Sequence, residues 1–118
     1  MKKTIKKYIE VFQPKEYGMI DLVVKIGEEW NLSKEIFDKI YEKKFSTLIE
    51  LNQKENKDIE QTLTTIFYNF SGGRDRKISK FKKNASYTSV SIGTIIKIDN
   101  KYYLVHEYDY VDVTNIIK

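Results

Sequence analysis

The chain contains no cysteine and a single proline among its 118 residues. Disulfides, thiolate metal sites and cysteine nucleophiles are therefore excluded together, and stability has to come from packing. Histidine is nearly as scarce, with His106 alone. Set between Val105 and Glu107 in a strand-like stretch, it has no special environment for a general base beside Ser89 or Ser91, and reads as a structural or surface residue. One imidazole with scattered carboxylates offers no metal-ligand spacing. Carboxylate pairs such as Glu28-Glu29 and Asp109/Asp112 read as solvated faces rather than a glycosidase dyad. Glycine is sparse too, and Gly72-Gly73 follows a helical stretch instead of opening one, without the lysine and hydroxyl spacing of a phosphate-binding loop. No run of about 18 apolar residues is present to make a membrane-spanning helix. The basic start, Met1 to Lys7, lacks the apolar region of a signal peptide, so the expected location is the cytoplasm of the cell that makes it. No catalytic residue, cofactor site or metal site emerges, and the expectation is a protein that is not an enzyme.

What the chain has is charge, tyrosine and β-branched residues. Its size fits one domain, residues 1–118, with a core of its own. Charged residues make up 32% and the net charge is +4, with nine tyrosines and six phenylalanines. The charge is uneven: residues 1–15 carry +4 and residues 74–83 carry +5, leaving −5 on the rest. Two basic segments on a mildly acidic body point to a charged partner.

The densest β signal runs from Tyr87 to Val113, where β-branched and aromatic residues are interrupted by Asp99-Asn100-Lys101. This predicts a hairpin or a three-strand meander with a third strand over Tyr108 to Thr114. A turn at Asn100-Lys101 would set Ile98 opposite Tyr103 and Ile96 opposite Val105, with four apolar side chains on one face, and is the preferred register. A turn at Asp99-Asn100 would instead pair Ile96 with Tyr103 and Ile95 with Leu104. Gly93 suits a bulge or a tight entry into the first of these strands.

Thr4 to Phe12 alternates as a strand, with Ile5, Lys7, Ile9 and Val11 on one side, and Pro14 closes it. Its lysines read as the guard of an edge strand. Apolar residues from Met19 to Trp30 recur at helical spacing, predicting a helix over Glu16 to Trp30. Ser33 can cap a helix with Ile36, Phe37, Ile40, Tyr41, Leu48 and Leu51 on its face, which local propensity favours, while Phe37, Lys39, Tyr41, Lys43 and Phe45 also alternate as a strand. The reading taken is a short helix or turn followed by a strand near 38–50. Asp58 to Asn69 is a second helix, with Ile59, Leu63, Ile66, Phe67 and Phe70 on one stripe. The expected fold class is α+β: a small antiparallel sheet of the N-terminal strand and the C-terminal hairpin or meander, with a possible middle strand, packed against two helices.

Ser89-Val90-Ser91-Ile92-Gly93-Thr94-Ile95-Ile96, followed by Tyr102-Tyr103, resembles the Ser-x-Ser-Val-Gly-Asp-Val-Val … Tyr-Tyr signature of small bacteriophage and mobile-element proteins with a YodL-like module. Ile66-Phe67-Tyr68-Asn69-Phe70 and Arg74-Asp75-Arg76 stand where those proteins carry a helix end and an arginine-bearing loop. The likeness covers roughly residues 58–113. Thr94 stands in place of the usual Asp, and Tyr108-Asp109-Tyr110 in place of a Phe-Gly-Phe-like ending. The resemblance implies a phage or mobile-element origin and carries no catalytic residue.

The polar connection from Arg74 to Asn84 is the main candidate site, because connections of that length in small domains are usually functional or mobile. Arg74, Arg76, Lys77, Lys80, Phe81, Lys82 and Lys83 are the candidate partner-binding residues. The leading expectation is a factor that binds and inhibits a host protein by steric occlusion. Its sharpest form is a counter-defence factor of anti-CRISPR or anti-restriction type, whose partner is a nuclease or a nuclease–nucleic acid complex. The alternative is a small basic nucleic-acid-binding protein, with the lysines and arginines on phosphates and Phe81 or Tyr87, Tyr102, Tyr108 and Tyr110 stacked on bases.

Overall fold

The structure is a computed structural model and describes residues 4–15, 32–70, 92–106 and 109–117. Those residues form an antiparallel five-stranded sheet with three helices, an α+β arrangement. In chain order the elements are β1 (Thr4–Pro14), α1 (Lys34–Ile40), β2 (Tyr41–Asn52), α2 (Ile59–Phe70), β3 (Ile95–Ile98), β4 (Lys101–Val105), β5 (Tyr110–Asp112) and α3 (Thr114–Ile117). The spatial order is β2-β1-β3-β4-β5. The helix predicted over Glu16 to Trp30 lies outside the described residues.

Local chemistry accounts for the element ends. Ser33 is extended and its Oγ accepts the Ile36 N–H at 3.1 Å, capping α1. The chain turns back to extended geometry at Tyr41 and continues directly as β2. Asp58 caps α2 by accepting the Gln61 N–H at 2.8 Å. The short helix and following strand expected after Ser33 are both present. The C-terminal helix was not expected: Thr114, read as the end of a strand, opens α3, and its N–H is held by the Asp112 carboxylate at 3.0 Å.

Both faces of the sheet are packed. On one, α2 sets Leu63 and Ile66 against Ile9, Val11, Ile49, Leu51, Ile96, Ile98, Tyr103 and Val105. On the other, α1 and α3 cover Tyr41, Ile95 and Leu104 with Ile36, Phe37, Val113 and Ile117. Phe12, Phe37, Tyr41 and Tyr102 meet there with ring centroids 5.3–6.0 Å apart. Each fully buried Ile or Leu contributes about 1.5–3 kcal/mol, so these two layers hold the fold.

The hairpin corrects the preferred register. Asp99 and Asn100 form the turn, both at positive φ (52° and 64°), and Ile98 faces Lys101 while Ile96 faces Tyr103 and Ile95 faces Leu104. Two consecutive left-handed residues match the right-handed twist of the flanking strands, and Asp and Asn tolerate that region where Lys101 does not. Moving a two-residue turn by one position shifts each partner by two, so the face of every side chain is unchanged. Ile96, Ile98, Tyr103 and Val105 still share one core. Ile95 and Leu104, directly opposite each other, fill the opposite core.

Gly93 is at φ 92° and donates to the Val105 carbonyl, while the Val105 N–H donates to Thr94, so Gly93 and Thr94 together oppose one residue. This is the bulge expected there. A second correction concerns β1, which was read as an edge strand. It lies between β2 and β3, and the sheet edges are β2 and β5.

Candidate functional site

The strand lengths leave a gap. β1 has 11 residues and pairs with β2 along its length, but β3 has only four and meets β1 only over Ile9 to Phe12. From Tyr8 back to Thr4, β1 therefore runs on beyond the hairpin with no described strand on that side. The result is an open notch of about 500 Å³ between Ile5–Tyr8 on one wall and Lys97–Asn100 on the other, with Glu10 at its base.

The charges in the notch are sorted. Lys7 Nζ bridges the notch to the Asp99 carboxylate at 2.6 Å. Glu10 is shared between Lys43 at 3.8 Å and Lys97 at 3.9 Å, and the Lys97 ammonium lies 5.5 Å from the centre of the Tyr102 ring. Both anions are thus matched by cations, while Lys6 is exposed and has no ion pair among the described residues. On the same face of the sheet, Tyr8 (55% exposed) stands directly opposite Leu48 (56% exposed) across the β1–β2 ladder. The notch is therefore a surface with backbone groups, a matched ion lattice, one spare cation and an exposed aromatic ring beside it.

Other chemistry-bearing groups are committed to structure. His106 Nδ1 lies 3.1 Å from the Asp109 carboxylate at the β4–β5 connection. The Tyr41 hydroxyl is buried and donates to the Gly93 carbonyl at 2.7 Å, and burial pushes its pKa far above the usual tyrosine range. Tyr103 is also raised, by burial first and then by Asp112 and Asp99. The Asp112 carboxyl is lowered by its hydrogen bonds from Thr114, side chain first. Glu42 is lowered mainly by its hydrogen bond from Lys44. Among the described residues no cluster of histidine, aspartate or glutamate could hold a metal ion, and no helix is long and apolar enough to cross a membrane.

The residues singled out from sequence, Arg74, Arg76, Lys77, Lys80, Phe81, Lys82 and Lys83, lie outside the described residues, as do Ser89, Ser91, Tyr87 and Tyr108. The two remaining stacking candidates do not form one platform: Tyr102 is half-buried in one core and Tyr110 packs against the other, on opposite faces of the sheet. The notch residues were not foreseen. Their signal was the mismatch between a long N-terminal strand and a short hairpin strand, which matters only once the two are known to be neighbours. Comparison with protein-family models, curated proteins and solved structures returns no match.

Proposed function

We propose that this chain is a binding protein that attaches to a partner protein and blocks it sterically, in the manner of a phage or mobile-element factor directed against a host defence enzyme. The notch carries this reading: a strand end with no strand beside it among the described residues, the cation Lys6, which has no ion pair among them, and the exposed Tyr8. Open strand edges recognise partners through the main chain, and flanking side chains add selectivity. Tyrosine is among the residue types enriched as interface anchors. The resemblance over residues 58–113 supports a mobile-element origin, and the basic segment 74–83 supplies a second contact surface.

The test is capture of tagged protein from a nuclease-treated bacterial lysate at low and high salt, with partners identified by mass spectrometry. The expected result is one stoichiometric protein retained at high salt and lost in the variant Ile5→Asp/Lys6→Glu. Retention in that variant, with loss on reversing Arg74, Arg76 and Lys77 to Glu, would move the contact from the notch to the basic segment. Loss of every partner with nuclease or salt would replace this function with nucleic-acid binding, because phosphate contacts weaken steeply with salt.

A further inference from the structure

The outer edge of β2 is a separate surface on the opposite side of β1. Which of its backbone groups point outward follows from the hairpin. A two-residue turn makes Ile98 and Lys101 exchange hydrogen bonds, so the next residue, Lys97, turns its N–H and C=O toward β1 and Glu10. Direction alternates along each strand, so Ile9 faces Thr47, and on β2 the groups of Ser46, Leu48, Glu50 and Asn52 point away from the sheet.

Both ends of that edge are closed. At one end the Asn52 N–H donates to the Glu55 carboxylate at 3.0 Å and its carbonyl accepts the Asn56 N–H at 3.0 Å. At the other, the β1–β2 register shifts at Lys44, a bulge of the kind that ends pairing. Between them, Ser46, Leu48 and Glu50 present their N–H and C=O groups with no strand beside them among the described residues. This stretch has no proline, lysine or bulge to guard it, and it carries the exposed Leu48 next to Tyr8.

We propose that this edge binds a second copy of the chain, as an antiparallel strand about a two-fold axis at Leu48. That register sets Leu48 opposite Leu48 of the second copy and Ser46 opposite its Glu50. It alone pairs the three open residues of one copy with the three of the other. Centring on Glu50 would oppose two carboxylates, and centring on Ser46 or Thr47 would bring the Lys44 bulge into the ladder. In the Leu48 register no like charges face each other. The seryl hydroxyl meets a carboxylate, and the row Tyr8–Leu48–Leu48–Tyr8 becomes continuous on one face of a ten-stranded sheet.

The absence of native cysteine allows a direct test of this register. Under mild oxidation Leu48→Cys forms a covalent dimer, since directly opposed residues lie within disulfide reach. Ser46→Cys alone does not, because its two copies stand four residues apart along the strand, ~13 Å; mixed with Glu50→Cys it cross-links. Sedimentation of the wild-type chain over a concentration series shows a doubling of mass that Leu48→Lys removes, with an unchanged far-UV spectrum. A wild-type monomer throughout, a dimer that survives Leu48→Lys, or Ser46→Cys cross-linking to itself as readily as Leu48→Cys would each overturn the proposal.

Discussion

Replacing Asn100 by glycine should stabilise the protein, and the size of the effect can be worked from the turn. Asn100 sits at φ 64° and is exposed, so its side chain buries nothing there. A residue with a Cβ in the left-handed region costs roughly 1–2 kcal/mol, less for asparagine, and glycine removes that cost. Against this, glycine adds conformational freedom to the unfolded chain, worth about 0.4–1 kcal/mol. The expected net gain is a few tenths of a kcal/mol up to about 0.5 kcal/mol, or ~1–4 °C in Tm for a domain of this size. Asn100→Val places a β-branched side chain in the same region and should cost about 1–2 kcal/mol, a fall of ~4–16 °C. Lys101→Gly, in extended geometry at the start of β4, should cost about 0.5–1 kcal/mol. Thermal and urea unfolding of the three variants, followed by circular dichroism, measures all of this. Stabilisation by Lys101→Gly would refute the observed turn and restore the register one residue later, in which Lys101 replaces Asp99 as a left-handed turn residue and Asn100 remains one.

Three further perturbations probe the cores and the titrating groups. Ile96→Ala, with Ile96 fully buried beside Ile9, Val11 and Tyr103, should lose ~2–5 kcal/mol in urea unfolding, and a loss under ~1 kcal/mol would mean the core is loosely packed. Tyr41→Phe removes the hydroxyl from the buried Gly93 carbonyl and should cost about 1–3 kcal/mol, with no change in the registers of the strands. The folded Asp112 carboxyl lies below its ordinary value of 3.8, so the stability it contributes is complete above that pH and disappears as pH falls through the lowered value. Asp112→Asn should therefore flatten the acid limb of the stability curve, and an unchanged acid limb in that variant would show that Thr114 does not hold the carboxylate in solution.

Much of this fold was readable from local patterns. The alternation of Ile9 and Val11, the Asp58 cap with Leu63 and Ile66 behind it, and the apolar run Ile95-Ile96 are signals contained in a few neighbouring residues. The Ser33 cap belongs with them, but the break before β2 does not, because local propensity favours continuing that helix through Leu51. Positive φ at Gly93 was also legible, since glycine at a strand entry has a limited set of uses. Signals of this kind survive because propensity and periodicity are properties of short segments.

The neighbours of each strand were not legible. Ile9 pairs with Thr47 on one side and Ile98 on the other, contacts separated by tens of residues, and no local pattern encodes them. That placement turned the lysine-bearing N-terminal strand from a supposed edge into an interior strand with an open end. It also packed both sheet faces and left Tyr102 and Tyr110 in opposite cores. The sequence by itself determined the strands, caps and turn residues, along with the absence of thiol chemistry. Only the tertiary structure decided that a strand of 11 residues lies beside one of four, and the notch exists because of that difference in length.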